Sequence, residues 1–187
     1  HHMHVYATSG LETSMVTALI TVGAGALILA RRPLHFLVAG VIMVGAIMTR
    51  PDAAVAYFMG VPFVVLAGEK RWRSLGMYLL PLALVYIPYW LIRYNYYGYP
   101  FPNSFYAKSA PETYYSQGWT YLWLYVKSYY VLLLTPAALA IGLVPVISRL
   151  RSGRLFQGYT ERAVLLSVFI LVPFLFYVVR VGGDFMF

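Results

Sequence analysis

The stretch TSMVTALITVGAGALILARRP, residues 13–33, decides the class of fold. From 13 to 30 no residue carries a charge, and the run stops abruptly at Arg31-Arg32-Pro33. A helix needs roughly 20 such residues to cross the hydrocarbon of a bilayer, and Pro with paired Arg ends it at the membrane surface. Working outward, the same pattern recurs. Residues 34–48 end at Thr49-Arg50-Pro51-Asp52, and 53–67 at Glu69-Lys70-Arg71-Trp72-Arg73. Residues 75–92 contain Pro81 and Pro88, which predict a kink. Residues 129–147 are closed by Arg149, Arg151 and Arg154, and 163–179 run into Arg180 and Val181-Gly182-Gly183-Asp184-Phe185.

Composition agrees. Of 187 residues, 61% are hydrophobic and 11% charged, against roughly half and a quarter in soluble domains. A mean hydropathy of +0.70 excludes a water-soluble domain. The runs do not alternate in polarity as barrel strands must. The expectation is an all-α integral membrane domain of about six transmembrane helices over 1–187, with an extracytoplasmic aromatic loop and interfacial helix at 93–128. Segments 34–48 and 53–67 span only roughly 22 Å at 1.5 Å per residue. They are read as two spans whose Arg-Pro-Asp turn sinks inward, in preference to one re-entrant hairpin. The chain has no cysteine, which excludes a disulfide scaffold, thiolate metal sites and a cysteine nucleophile.

The net charge of +8 is mostly topology. One set of loops holds nine cations: Arg31, Arg32, Lys70, Arg71, Arg73, Arg149, Arg151, Arg154 and Arg162. The other holds five: Arg50, Arg93, Lys108, Lys127 and Arg180. The positive-inside rule puts the nine-cation face in the cytoplasm, so no nucleic-acid partner is called for. Glu12, Asp52, Glu112 and Asp184 then lie on the outer face with the five cations, all but Glu112 close to a span end. Ionisable groups at membrane depth are functional candidates, although interfacial snorkelling and helix capping account for any one of them.

The outer stretch from Arg93 to Lys108 is rich in tyrosine, including Tyr97 and Tyr106, and is punctuated by Gly98, Pro100, Pro102 and Asn103. An interfacial aromatic belt explains the tyrosines. Two cations bracketing a shaped turn suit an anionic group such as phosphate, and tyrosine faces and hydroxyls suit a sugar. Trp119, Tyr121, Trp123 and Tyr125 read as an interfacial helix. The small-residue patches Gly23-Ala24-Gly25-Ala26 and Gly40…Gly45 read as helix packing. His1, His2 and His4 form no site with other ligands, and no phosphate loop, dinucleotide fingerprint or Ser-His-Asp spacing occurs.

Four motifs, in order, carry a resemblance: Ser9-Gly10-Leu11-Glu12-Thr13; Thr49-Arg50-Pro51-Asp52; Tyr97-Gly98 through Pro102-Asn103-Ser104-Phe105-Tyr106-Ala107-Lys108; and Gly182-Gly183-Asp184-Phe185-Met186. Together they resemble the bacterial glycosyltransferases of the GT-C type that use polyprenyl-phosphate sugars, most of all the mycobacterial terminal arabinofuranosyltransferase family. Ala53 stands where that family often has Gly. The family's acidic catalytic residue is expected upstream of the first motif and further spans downstream of the last, so the chain reads as an internal fragment of a longer enzyme.

The resemblance implies a larger membrane bundle in the bacterial inner membrane with its active face outward. It implies inverting transfer of a sugar from a polyprenyl-phosphate donor to a glycan or protein acceptor, with membrane lipid as the surrounding partner. Asp184, Asp52 and Glu12 are the candidates for acceptor orientation or base catalysis. Arg50, Arg93, Tyr97, Asn103, Tyr106, Lys108 and Arg180 are the candidates for substrate binding. No cofactor is identified, and a divalent metal has no readable site in carboxylates so far apart in sequence. The competing reading is a non-enzymatic membrane subunit or a lipid or ion transporter. A transporter predicts inverted repeats and mid-span charges, whereas the charges here sit at span ends.

Overall fold

The computed structural model describes residues 12–100, 113–128, 147 and 158–182. Among these residues every regular element is helical, as the apolar runs require. Helix α1 is Glu12–Leu29 and α2 is Pro33–Thr49, which begins on Pro33, where a missing N–H costs nothing. A short 3₁₀ turn, Pro51–Ala53, joins α2 to α3, Ala54–Ala67. Helix α4 is Arg71–Pro81 and α5 is Ile87–Tyr97, with a π-helical stretch, Leu82–Tyr86, between them. Helix α6 is Tyr115–Ser128 and α7 is Tyr159–Val181.

Three helices are long and apolar enough to cross a membrane: Glu12–Leu29, the continuous Arg71–Tyr97, and Tyr159–Val181. Pro33–Thr49 and Pro51–Ala67 are shorter apolar helices. This is an all-α membrane protein. The fifth expected segment, 129–147, lies outside the described residues apart from Ile147.

Where Pro81 and Pro88 predict a kink, the helix widens: the Ile87 N–H bonds the Leu82 carbonyl, five residues back. One feature departs from the pattern read in the sequence: the helix continues past residue 92, so Arg93, Tyr94 and Tyr97 stand on the last turns of α5, not in a loop. Gly98, at φ 73°, ends the helix in the left-handed conformation, and its N–H caps the Tyr94 carbonyl.

The core forms where α2 packs between α1 and α4, with α3 and α7 closing it. Phe36, Met43, Tyr57, Phe63, Tyr78 and Leu166 are all buried there. Backbones approach closely because side chains are missing where they would collide. A Cβ on Gly40 would stand 2.5 Å from the Tyr78 carbonyl oxygen, as small-residue packing in membranes predicts. Two tyrosines clasp α3 to α4. The Tyr57 hydroxyl donates to the Tyr78 carbonyl (2.9 Å), the Tyr78 hydroxyl donates to the Tyr57 carbonyl (3.0 Å), and the rings stack at 4.7 Å. A buried hydroxyl needs such a partner.

The largest charged group in the interior of the described residues is Arg162, in the first turn of α7 and fully buried. Its Nε donates to the Ile28 carbonyl (2.7 Å), one terminal nitrogen to Leu27 (2.9 Å) and Ala30 (2.6 Å), and the other to Ala67 (3.3 Å). The last carbonyls of a helix have no partner within it. One guanidinium, with five donors in a fixed fork, therefore caps the ends of both α1 and α3. The Phe63 ring lies 5.3 Å from the guanidinium carbon. Counted in the sequence as a loop cation, Arg162 is a part of the packed interior at that same end.

Candidate functional site

Because successive helices run in opposite directions, the bundle has two polar ends. Arg162, Arg31 and the residues 68–73 mark one. The start of α1, the 3₁₀ turn and the end of α7 mark the other, and of the sequence candidates Glu12, Arg50, Asp52 and Arg180 lie on these elements. At its centre, Arg50 and Asp52 form a two-pronged pair: Nε to Oδ1 is 3.2 Å and the terminal nitrogen to Oδ2 is 3.0 Å. Local backbone sets this up. Arg50 is extended, Pro51 opens the 3₁₀ turn, and the Ala53 N–H bonds the Arg50 carbonyl (3.1 Å), which brings the two side chains to one side.

The remaining Arg50 nitrogen donates to the Thr13 hydroxyl at 3.3 Å. This contact ties the turn to the first turn of α1, where Glu12 is exposed. The side chains of Arg50 and Asp52 are 34% and 25% exposed, so the pair is neither sealed in the core nor spread on the surface. Tyr177 of α7 lies within electrostatic reach of both charges. Sequence reasoning passed over Tyr177. It stands inside an apolar run, and only the position one turn before Arg180 signals it.

Arg180 is exposed at the end of α7, and its carbonyl accepts the Tyr114 N–H at 2.9 Å. Gly118 of α6 presses on the backbone of Val179, where a Cβ would collide with the carbonyl. Gly182, at φ 91°, ends α7 against Tyr114. The end of α7 thus carries the start of α6 close to the Arg50–Asp52 turn.

Arg93 and Tyr97 are at the same end but form a separate group. The Arg93 guanidinium donates to the Pro100 carbonyl (3.4 Å), as does the Trp90 indole N–H (3.0 Å), and the Trp90 and Tyr94 rings stack at 5.4 Å. Arg93 and Trp90 therefore hold the chain after Gly98 back onto α5. Tyr97 is exposed. Asn103, Tyr106, Lys108 and Asp184 lie outside the described residues. No three His, Asp or Glu side chains gather as a metal site among the described residues.

Fold and site together define a helical membrane protein with a cationic and tyrosine-rich polar end built around one Arg–Asp pair. The chain is 32% identical, over 145 residues and 74% of its length, to the terminal β-(1→2)-arabinofuranosyltransferase of Corynebacterium glutamicum. It is 27% identical, over 203 aligned positions and 97% of its length, to the protein of that name from Mycobacterium tuberculosis. The resemblance read from the four motifs is upheld. The chain spans 21% and 32% of the length of these relatives. No family model and no solved structure matches it.

Proposed function

We propose that this chain forms part of a multi-pass bacterial inner-membrane glycosyltransferase that moves a sugar from a polyprenyl-phosphate donor to a glycan or protein acceptor on the extracytoplasmic face. The likeness to two arabinofuranosyltransferases carries the reading and makes arabinofuranose the first sugar to test. In such a reaction the acceptor hydroxyl gives up its proton and attacks the anomeric carbon. The bond from that carbon to the phosphate oxygen breaks, and polyprenyl phosphate leaves with the electron pair. The step needs a base at the hydroxyl and positive charge at the leaving phosphate.

The Arg50–Asp52 geometry suits orientation. Both Asp52 oxygens accept from one guanidinium, which fixes the carboxylate while leaving lone pairs for sugar or acceptor hydroxyls. Glu12 precedes the Thr13 that Arg50 bonds, and Asp184 follows Gly182-Gly183 in the sequence. Arg180, with Arg93 and Lys108, supplies the cations for phosphate. The outer-face assignment rests on the nine-to-five division of cations.

The test is transfer of labelled arabinofuranose from its polyprenyl-phosphate donor to an arabinan oligosaccharide by the full-length protein in membranes. Wild type makes product. Asp52→Asn, which keeps the shape and removes the charge, lowers turnover about tenfold or more while thermal stability holds. Full-length protein that is folded yet transfers no sugar from any polyprenyl-phosphate donor refutes the reading.

A further inference from the structure

At the opposite end of the bundle the buried guanidinium of Arg162 does more than cap helices. It bonds the carbonyls of Leu27, Ile28 and Ala30 and also that of Ala67. The chain leaves α1 directly into Arg31-Arg32 and leaves α3 directly into Gly68-Glu69-Lys70, so both loops emerge side by side. Arg32, Lys70, Arg71 and Arg73 are all exposed, Glu69 is the one acid among them, and Arg31 lies over the Tyr159 ring at 5.0 Å. Between Arg71 and Arg73, Trp72 is 82% exposed.

A solvated face explains exposed cations but not a tryptophan placed in their midst. Arg71 also opens the 27-residue apolar helix that ends at Tyr97, so these side chains sit at the depth where a membrane-crossing helix leaves the bilayer. Indole rings partition to that depth, and each nearby Lys or Arg is drawn to anionic headgroups. We infer that Arg32, Lys70, Arg71 and Arg73, with Trp72 inserted among the acyl chains, form a binding surface for anionic phospholipid headgroups, assembled from two loops by the Arg162 cap. The surface is remote from the Arg50–Asp52 pair and does not depend on sugar transfer.

The test is native mass spectrometry of the full-length protein released from mixed phosphatidylglycerol and phosphatidylcholine nanodiscs. Wild type retains phosphatidylglycerol preferentially. Each of Lys70→Gln, Arg71→Gln and Arg73→Gln lowers that preference by roughly fivefold, and Trp72→Ala weakens retention of both lipids alike. The single variants alter exposed side chains, and unchanged thermal unfolding confirms that each is folded. Three outcomes overturn the assignment: no preference in wild type, an undiminished preference in all the Gln variants, or displacement of phosphatidylglycerol by an equal fraction of polyprenyl phosphate. The last would make the patch a site for a reaction lipid.

Discussion

Replacing Arg162 by Met keeps a long side chain of similar volume and removes every donor. Four carbonyls, of Leu27, Ile28, Ala30 and Ala67, then lose their guanidinium partner at two helix ends. A buried acceptor left without a partner costs roughly 1–3 kcal/mol. Leu27 keeps the Ala30 N–H (3.3 Å), so three at the lower figure give about 3 kcal/mol, and the Phe63 contact adds about 1 kcal/mol. Releasing a buried charge from its desolvation cost offsets part of this, so the expected net loss is roughly 2–3 kcal/mol. Arg162→Lys keeps the charge but lacks the planar fork. An ammonium group reaches only some of these carbonyls, so this variant falls between Met and wild type. The assay is equilibrium unfolding of the full-length protein in mild detergent, followed by tryptophan fluorescence. A Met variant within about 1 kcal/mol of wild type refutes the cap, since that is the scale of a surface substitution.

Other perturbations test separate contacts. Tyr57→Phe and Tyr78→Phe each remove one buried hydrogen bond and cost about 1–2 kcal/mol. The double variant deviates from the sum if the clasp acts as a unit, and strict additivity in the unfolding curves shows two independent bonds. Gly118→Ala drives a methyl into the Val179 backbone and costs roughly 1–3 kcal/mol; unchanged stability shows that α6 does not rest on α7 there. Cysteines at Ser116 and Glu69, in a background free of others, label from opposite sides of intact cells with a membrane-impermeant reagent. Equal labelling at both refutes the cation-based orientation.

What the sequence made legible was whatever depends on neighbours along the chain. Apolar runs and their charged terminators located α1, α2, α3 and α7, and Arg50-Pro51-Asp52 revealed a turn with its own ion pair. What it hid depends on distant partners. The carbonyls that Arg162 caps are 95 to 135 residues away, and a carbonyl has no signature in the sequence. The one local clue was position: Arg162 falls inside the turn that opens an apolar helix after Gly158, where a loop cation has no reason to be. Tyr57 and Tyr78 were lost among 18 tyrosines, since membrane-edge and interior tyrosines look alike until their hydroxyl partners are known. Pro81 was read as the site of a kink because Pro removes a backbone donor, but the sequence did not show that the deficit passes to a wider turn at Leu82–Tyr86.

That wider turn sets an angular gauge between the two halves of one span. Each residue of an α-helix advances roughly 100°, and a stretch bonded five residues back carries one residue more than α-helical bonding would. The face bearing Trp90, Arg93 and Tyr94 is therefore aimed independently of the face that Tyr78 turns toward α3. Removing a single residue between 82 and 86 would swing the half that carries Arg93 by roughly that angle and shift it by about 1.5 Å, with every side chain beyond it unchanged in identity. Insertion and deletion at this point, and not substitution, offer the chain its finest means of re-aiming Arg93.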